Sequence, residues 1–152
     1  MGNFRMTDKP IYPIILTDNS TGYLDLVDNE DRLTTSNALG LIKGSYKKFQ
    51  AYDKDGQMWK VDKVGSNYKI NGLTKFLAYT IYNPQIKVSI IWTKIGNYQL
   101  SDLKEDIVKQ LNRDDDIITQ FNSAKLLREK IENCISFDSI VKTLYKYVFN
   151  VS

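Results

Sequence analysis

With 152 residues, 42% of them apolar and 26% charged, the chain has the composition of a globular protein and the length to bury a core without disulfide or metal staples. It has no histidine and one cysteine, Cys134, which excludes an intramolecular disulfide, zinc sites of the Cys/His kind, Ser-His-Asp or Cys-His nucleophile systems and any histidine general base. The net charge of +3, from 21 basic and 18 acidic side chains, is too small to argue for nucleic acid by itself.

The opening MGNFRMTDKP lacks the apolar run of a secretory signal, and Met6 stands where a myristoylation motif needs Ser or Thr. The most apolar run, Ile86 to Ile95, is only strand-length and is broken by Lys and Ser. The sequons Asn19-Ser20-Thr21 and Asn150-Val151-Ser152 therefore read as chance matches. The default expectation is a cytoplasmic protein without membrane contact, cofactor, metal or disulfide-linked partner.

A single domain spanning 1–152 is expected: a flexible arm at 1–10, mainly sheet with short helices over 11–95, and a helical part over 101–149. Ile11 to Thr17 is β-rich, but Pro10 and Pro13 remove ladder donors, which predicts an edge strand at most. Tyr23 to Val27 alternates as a short strand. Thr35-Ser36-Asn37 offers a cap for a short helix, Ala38 to Lys43, which Gly44 would end.

Tyr46 to Val64 reads as a β-hairpin around Asp53-Lys54-Asp55-Gly56. Asp opens a type I turn, and Gly takes the left-handed position that follows, giving a three-residue loop with a bulge. The register then places Tyr52 opposite Met58, Ala51 opposite Trp59, Gln50 opposite Lys60, Phe49 opposite Val61 and Lys48 opposite Asp62. Phe49, Ala51, Trp59 and Val61 share a core face, while Tyr52, Met58 and Lys60 lie on the other, which is expected to be open to a partner.

Tyr68 to Ile70 is a possible third strand, and Leu73 to Tyr82 has helical spacing ended by Asn83-Pro84. Ile86, Val88, Ile90 and Trp92 alternate across a strand whose polar face only Ile91 spoils. Three helices follow. Ser101 is expected to cap Asp102 to Asn112, with Leu103, Ile107, Val108 and Leu111 as its apolar stripe and Asp102, Glu105 and Asp106 complementing the dipole. Ser123 caps a second helix running to about Cys134, a small buried hydrophobe, and Ser136 caps a third. Strands first and helices last predict an α+β fold: an antiparallel sheet built on the central hairpin, with the C-terminal helices packed against one face.

Charge is segregated. Asp18 to Asp31 holds five acids and no base, Lys43 to Lys75 holds eight lysines against three acids, and Asp102 to Asp116 holds six acids against three bases. Such blocks are ordinarily solvated faces and otherwise partner footprints. Asp53-x-Asp55-Gly56 lacks the Gly and Glu spacing of a calcium loop, and Gly40 to Ser45 lacks that of a phosphate loop. The carboxylate groups Asp28, Glu30, Asp31 and Asp114 to Asp116 are the only acid–base machinery available to a carboxylate-dependent enzyme, and no second element supports either. A single-stranded nucleic-acid module would use Tyr46, Lys47, Lys48, Tyr52, Lys54, Met58 and Lys60 as stacking and phosphate groups. The block nets only +5 (eight minus three) and is flanked by acids that repel the same backbone.

The runs YKKFQAYDKDGQMWKV, YNPQIKVSI and YQLSDLKEDIVKQLNRDDD resemble the pattern of small bacterial immunity proteins of polymorphic toxin systems, over most of residues 22–149. That resemblance implies a non-catalytic cytoplasmic domain that neutralises a cognate toxin by binding it. It carries over no catalytic or partner residue. The chain is mildly basic, whereas immunity proteins against basic nucleases are often strongly acidic, so the resemblance implies a different toxin class or local binding by an acidic block. The expected partner-facing residues are Asp25, Asp28, Glu30, Asp31, Tyr52, Met58 and Lys60.

Overall fold

The turn at Asp53–Gly56 sets the register from which the sheet grows. In the computed structural model, which describes residues 9–18, 23–30, 35–37, 49–66, 85–113 and 118–151, Asp53 N donates to Gln57 O at 3.0 Å. Gly56 takes φ 80, the left-handed conformation that the bulged loop requires. β4 (Gln50–Tyr52) and β5 (Gln57–Ser66) pair as Gln50 with Lys60, Ala51 with Trp59 and Tyr52 with Met58, the expected register. Lys48, and with it the expected Lys48–Asp62 pair, lies outside the described residues.

Four further strands extend this hairpin on both sides: β1 (Ile14–Asp18), β2 (Tyr23–Val27), β3 (Thr35–Asn37) and β6 (Gln85–Asn97). The sheet order is β2-β1-β4-β5-β6-β3, and every pairing is antiparallel. The expected α+β architecture on a central hairpin is present. β2 has the expected bounds.

Two local expectations are corrected. β1 is an interior strand between β2 and β4, with all five residues buried. Pro10 and Pro13 precede its first paired residue, Ile14, so the ladder loses no donor. Thr35–Asn37 pairs with Gln85–Lys87 as β3 and is not a helix cap. The helices expected at 38–43 and 73–82 and the strand at 68–70 lie outside the described residues.

The helical layer follows β6: α1 (Leu100–Arg113), α2 (Ala124–Glu132) and α3 (Phe137–Thr143), the last running on into a π-helical turn over Leu144–Val148. Ser123 Oγ accepts from Leu126 N at 3.2 Å and Ser136 Oγ from Ser139 N at 3.1 Å, the two expected caps; Ser139 adds a reciprocal bond that completes a capping box. At α1 the expected cap is corrected. Ser101 lies within the first turn, and the Asp102 carboxylate reaches back to Gln99 N at 2.9 Å.

Two cores result. α1 packs over β1 and β2, and Leu103, Ile107, Leu111, Leu127, Ile131, Ile140 and Leu144 meet Ile15, Leu24, Leu26 and Tyr52 from the sheet. On the opposite face Ile14, Leu16, Val27, Ala51, Trp59, Val61 and Trp92 form a second buried cluster. Burying Trp59 or one of these aliphatic side chains stabilises the fold by roughly 1.5–3 kcal/mol. Cys134 is buried in the helical core, with Sγ 3.2 Å from Lys130 O. Among the described residues no helix is long and apolar enough to cross a membrane.

Candidate functional site

Strand alternation puts Ala51, Trp59 and Val61 on the second core and sends Tyr52 and Met58 to the helical side. The expectation that Tyr52 and Met58 form an open partner surface is therefore corrected. Tyr52 is 3% exposed, and Met58 is half-buried against the helical core, because α1 closes over this part of the hairpin face. Only Lys60, farther along β5, remains exposed.

The acidic candidates sit elsewhere. Asp25 is half-buried in β2 and accepts from Leu26 N at 2.8 Å. Asp28 is exposed and accepts the hydroxyl of Tyr145 from the π-helical turn. Glu30 pairs with Lys9 at 3.2 Å. Asp31 lies outside the described residues, as do Tyr46, Lys47 and Asp114 to Asp116. The structure thus joins the end of β2 to the C-terminal helices through Asp28 and Tyr145. Beside that contact a cleft of about 600 Å³ is lined by Lys142, Tyr145, Lys146, Asn150 and Val151. Lys60 lies three strand spacings from β2, ~14 Å, a span that one interface of ~800 Å² per partner still covers.

The sequence reading gives Asp53 to the turn, which the structure shows, and Asp106 to the helix dipole; what it missed is that both are buried and ringed by donors. Asp53 is fully buried and accepts four hydrogen bonds: Oδ1 from Asp55 N (3.0 Å) and Gln57 N (2.9 Å), Oδ2 from Ile11 N (3.3 Å) and Trp59 Nε1 (2.9 Å). Asp106 is buried under α1 and accepts from Thr17 Oγ1 (2.9 Å), Tyr52 Oη (2.5 Å) and Gln110 Nε2 (2.9 Å). Asp106 therefore does not serve as a solvated charge near the helix N-terminus. One signal does mark it: Leu103, Asp106, Ile107, Gln110 and Leu111 follow helical spacing, so an acid and an amide interrupt the buried stripe.

The electrostatics match the geometry. Burial, and after it the hydrogen bond to the Asp106 carboxylate, pushes the Tyr52 phenol well above its ordinary range. Burial, then the charge of Asp53, does the same to Tyr98, whose hydroxyl donates to Asp53 O at 2.5 Å. Both phenols stay protonated donors at neutral pH, each held by an acceptor of the protein itself. Asp18, at the end of β1, is also buried, so the first acidic block is not one solvated face. Among the described residues no group of three or more His, Cys, Asp or Glu side chains is placed to hold a metal ion. No protein-family model, curated protein or solved structure matches this chain.

Proposed function

We propose that this chain is a non-catalytic protein-binding domain, and more specifically an immunity protein that neutralises a cognate bacterial toxin by stoichiometric binding in the cytoplasm. The observation that carries the reading is how the buried carboxylates are used. Asp53 and Asp106 are buried acids surrounded by donors from the protein itself, and each of their four carboxylate oxygens accepts at least one such bond. An acid–base catalyst needs an oxygen within reach of a substrate proton, and these have none to offer. The resemblance of the hairpin, β6 and α1 runs to immunity proteins supports the finer reading. On the surface, Asp28, Glu30 and Lys60 supply local charge that steers association with a partner of opposite sign.

Against the nucleic-acid alternative weighs the placement of two of its stacking candidates, since Tyr52 is buried and Met58 packs inward; its Tyr46, Lys47 and Lys48 lie outside the described residues. The test is a pull-down from the producing cell and co-expression with the protein recovered, followed by titration calorimetry of the purified pair. A 1:1 complex and loss of toxicity at equimolar protein are expected. Unchanged toxicity with no heat of binding, or a gel shift of single-stranded RNA at low salt, would overturn the reading.

A further inference from the structure

The last helix ends around a cleft that its own backbone builds. Leu144 and Val148, one turn apart, are buried and fix one side of the helix in the core. Lys142, Tyr145 and Lys146, three and four residues apart, line the cleft on another side, and both lysines are exposed. A regular α-helix would give the Tyr145 carbonyl to Phe149 N. Here Phe149 N reaches Leu144 O at 2.9 Å, which makes the turn π-helical, and Tyr145 O accepts from Val151 N at 2.7 Å. Asn150 allows the reversal by taking φ 54, a left-handed conformation that asparagine tolerates. Val151 is thereby folded back into the cleft wall, where it is 53% exposed. Single π-turns within helices are frequent at functional sites.

Size and charge define what fits. The cleft of about 600 Å³ lies within the ~300–1,000 Å³ usual for small-molecule sites. Its described lining holds two lysines and no acid, and the sequence from Ser139 to Val151 holds the same two lysines and no acid. A third ammonium adds to the positive potential: the Tyr147 ring lies 5.4 Å from Lys130 Nζ and 5.2 Å from Lys146 Nζ. Two acids stand close by, Asp28 on the Tyr145 hydroxyl and Asp138 one turn before Lys142. We propose that this cleft binds a small amphipathic anion, an apolar body that ends in a carboxylate. The body lies against Tyr145, Val151 and the methylene stems of the lysines. The carboxylate sits between the Lys142 and Lys146 ammonium groups, where the Asn150 amide adds a donor. Asp28 repels it from the Tyr145 end, and so sets the direction in which the ligand lies.

The test titrates the full chain with decanoate and follows its backbone amide shifts by NMR. Decyltrimethylammonium, with the same alkyl body and the opposite head charge, is the comparator. Decanoate should give saturable shifts centred on residues 142–151, with a dissociation constant of roughly 0.1–1 mM for a ligand of this size. The cation should bind at least about tenfold more weakly. Lys142→Glu and Lys146→Glu each turn an attraction into a repulsion and should raise the decanoate constant about tenfold, as should Val151→Asp, which puts a charge on the apolar wall. All three positions are exposed, so far-UV circular dichroism of the variants should match the parent. Shifts that do not saturate or that centre elsewhere, equal binding of the cation, or an affinity indifferent to all three substitutions would each overturn the proposal. The inference does not rest on toxin binding, since the titration uses this chain alone and its failure leaves that reading as it stands. Loss of binding to the recovered protein partner in Lys146→Glu would assign the cleft to that partner and overturn the small-molecule site.

Discussion

Asp53 and Asp106 are both buried carboxylates ringed by donors, and they are built in opposite ways. Three of the four donors to Asp53 come from within six residues, and its turn would satisfy most of them in an isolated hairpin. The donors to Asp106 include Thr17, 89 residues away, and Tyr52, 54 residues away, so that site exists only when α1 docks on the sheet. One carboxylate organises a local turn. The other fastens two layers. Tyr98 connects them: its hydroxyl bonds Asp53 O, and its ring meets Tyr52 edge-on at 5.0 Å.

The largest effect should come from removing the local acceptor. Asp53→Ala strands three part-buried backbone N–H groups and the buried Trp59 indole, and a loss of ~3–5 kcal/mol in urea unfolding is expected. Amide exchange should show the hairpin turn opening first; a loss below ~1 kcal/mol would show that water replaces the carboxylate and that the turn does not depend on it. Asp106→Ala should cost less, ~2–4 kcal/mol, because its side-chain donors can rotate toward other partners while backbone donors cannot. Its signature is regional, with exchange faster in α1 and β1 than in the hairpin turn.

Tyr52→Phe should cost ~1–2 kcal/mol and sharpens the comparison through coupling. In a double-mutant cycle it should couple to Asp106→Asn by ~0.5–3 kcal/mol and to Asp55→Ala by less than ~0.5 kcal/mol. Equal coupling to both would mean that the two sites are one network. By itself, Asp55→Ala should stay within about 0.5 kcal/mol of the parent, since Asp55 is exposed and donates to the turn through its backbone N–H.

Alkaline pH tests the layer contact without mutation. Burial, with a contribution from Glu30, pushes the Tyr12 phenol from its ordinary value near 10 up to about 12, and Tyr52 and Tyr98 move in the same direction. In the unfolded chain these phenols ionise near pH 10, so the folded form binds more protons above that point. The stability they contribute is whole below pH 10 and falls as pH rises from 10 through about 12 for Tyr12, and higher still for the other two. Urea midpoints should be flat from neutrality to pH 10 and then drop. Tyr12, Tyr52 and Tyr98 should give tyrosinate absorbance only at a pH above that at which unfolded tyrosine ionises. In Tyr52→Phe the alkaline drop should be shallower.

The hairpin register was legible because it rests on local chemistry: Asp and Gly fix the turn, and alternation of period two carries the register along both strands. The serine caps at Ser123 and Ser136 were legible for the same reason. Which hairpin face is open was not. Tyr52 and Met58 are an amphipathic residue and an adaptable one, acceptable in a core or on a surface, and only the docking of α1 decides between those fates.

Tertiary structure likewise decided the place of β1. Two flanking prolines suggest an edge, but a proline before the first paired residue costs nothing to the ladder, and the strand lies in the sheet interior. Asp106 stands between these cases, since helical spacing put an acid on a buried stripe while the choice of Thr17 and Tyr52 as its partners depended on strands far off in the chain. The sequence by itself determined whatever depends on neighbours within one turn or one hairpin: the loop at Gly56, the pairing of Ala51 with Trp59, the serine-capped starts of α2 and α3 and the α+β order of elements. Tertiary structure decided which faces close, which strands lie inside and which charges are enclosed. Those outcomes depend on burial, and burial is a property of two elements meeting.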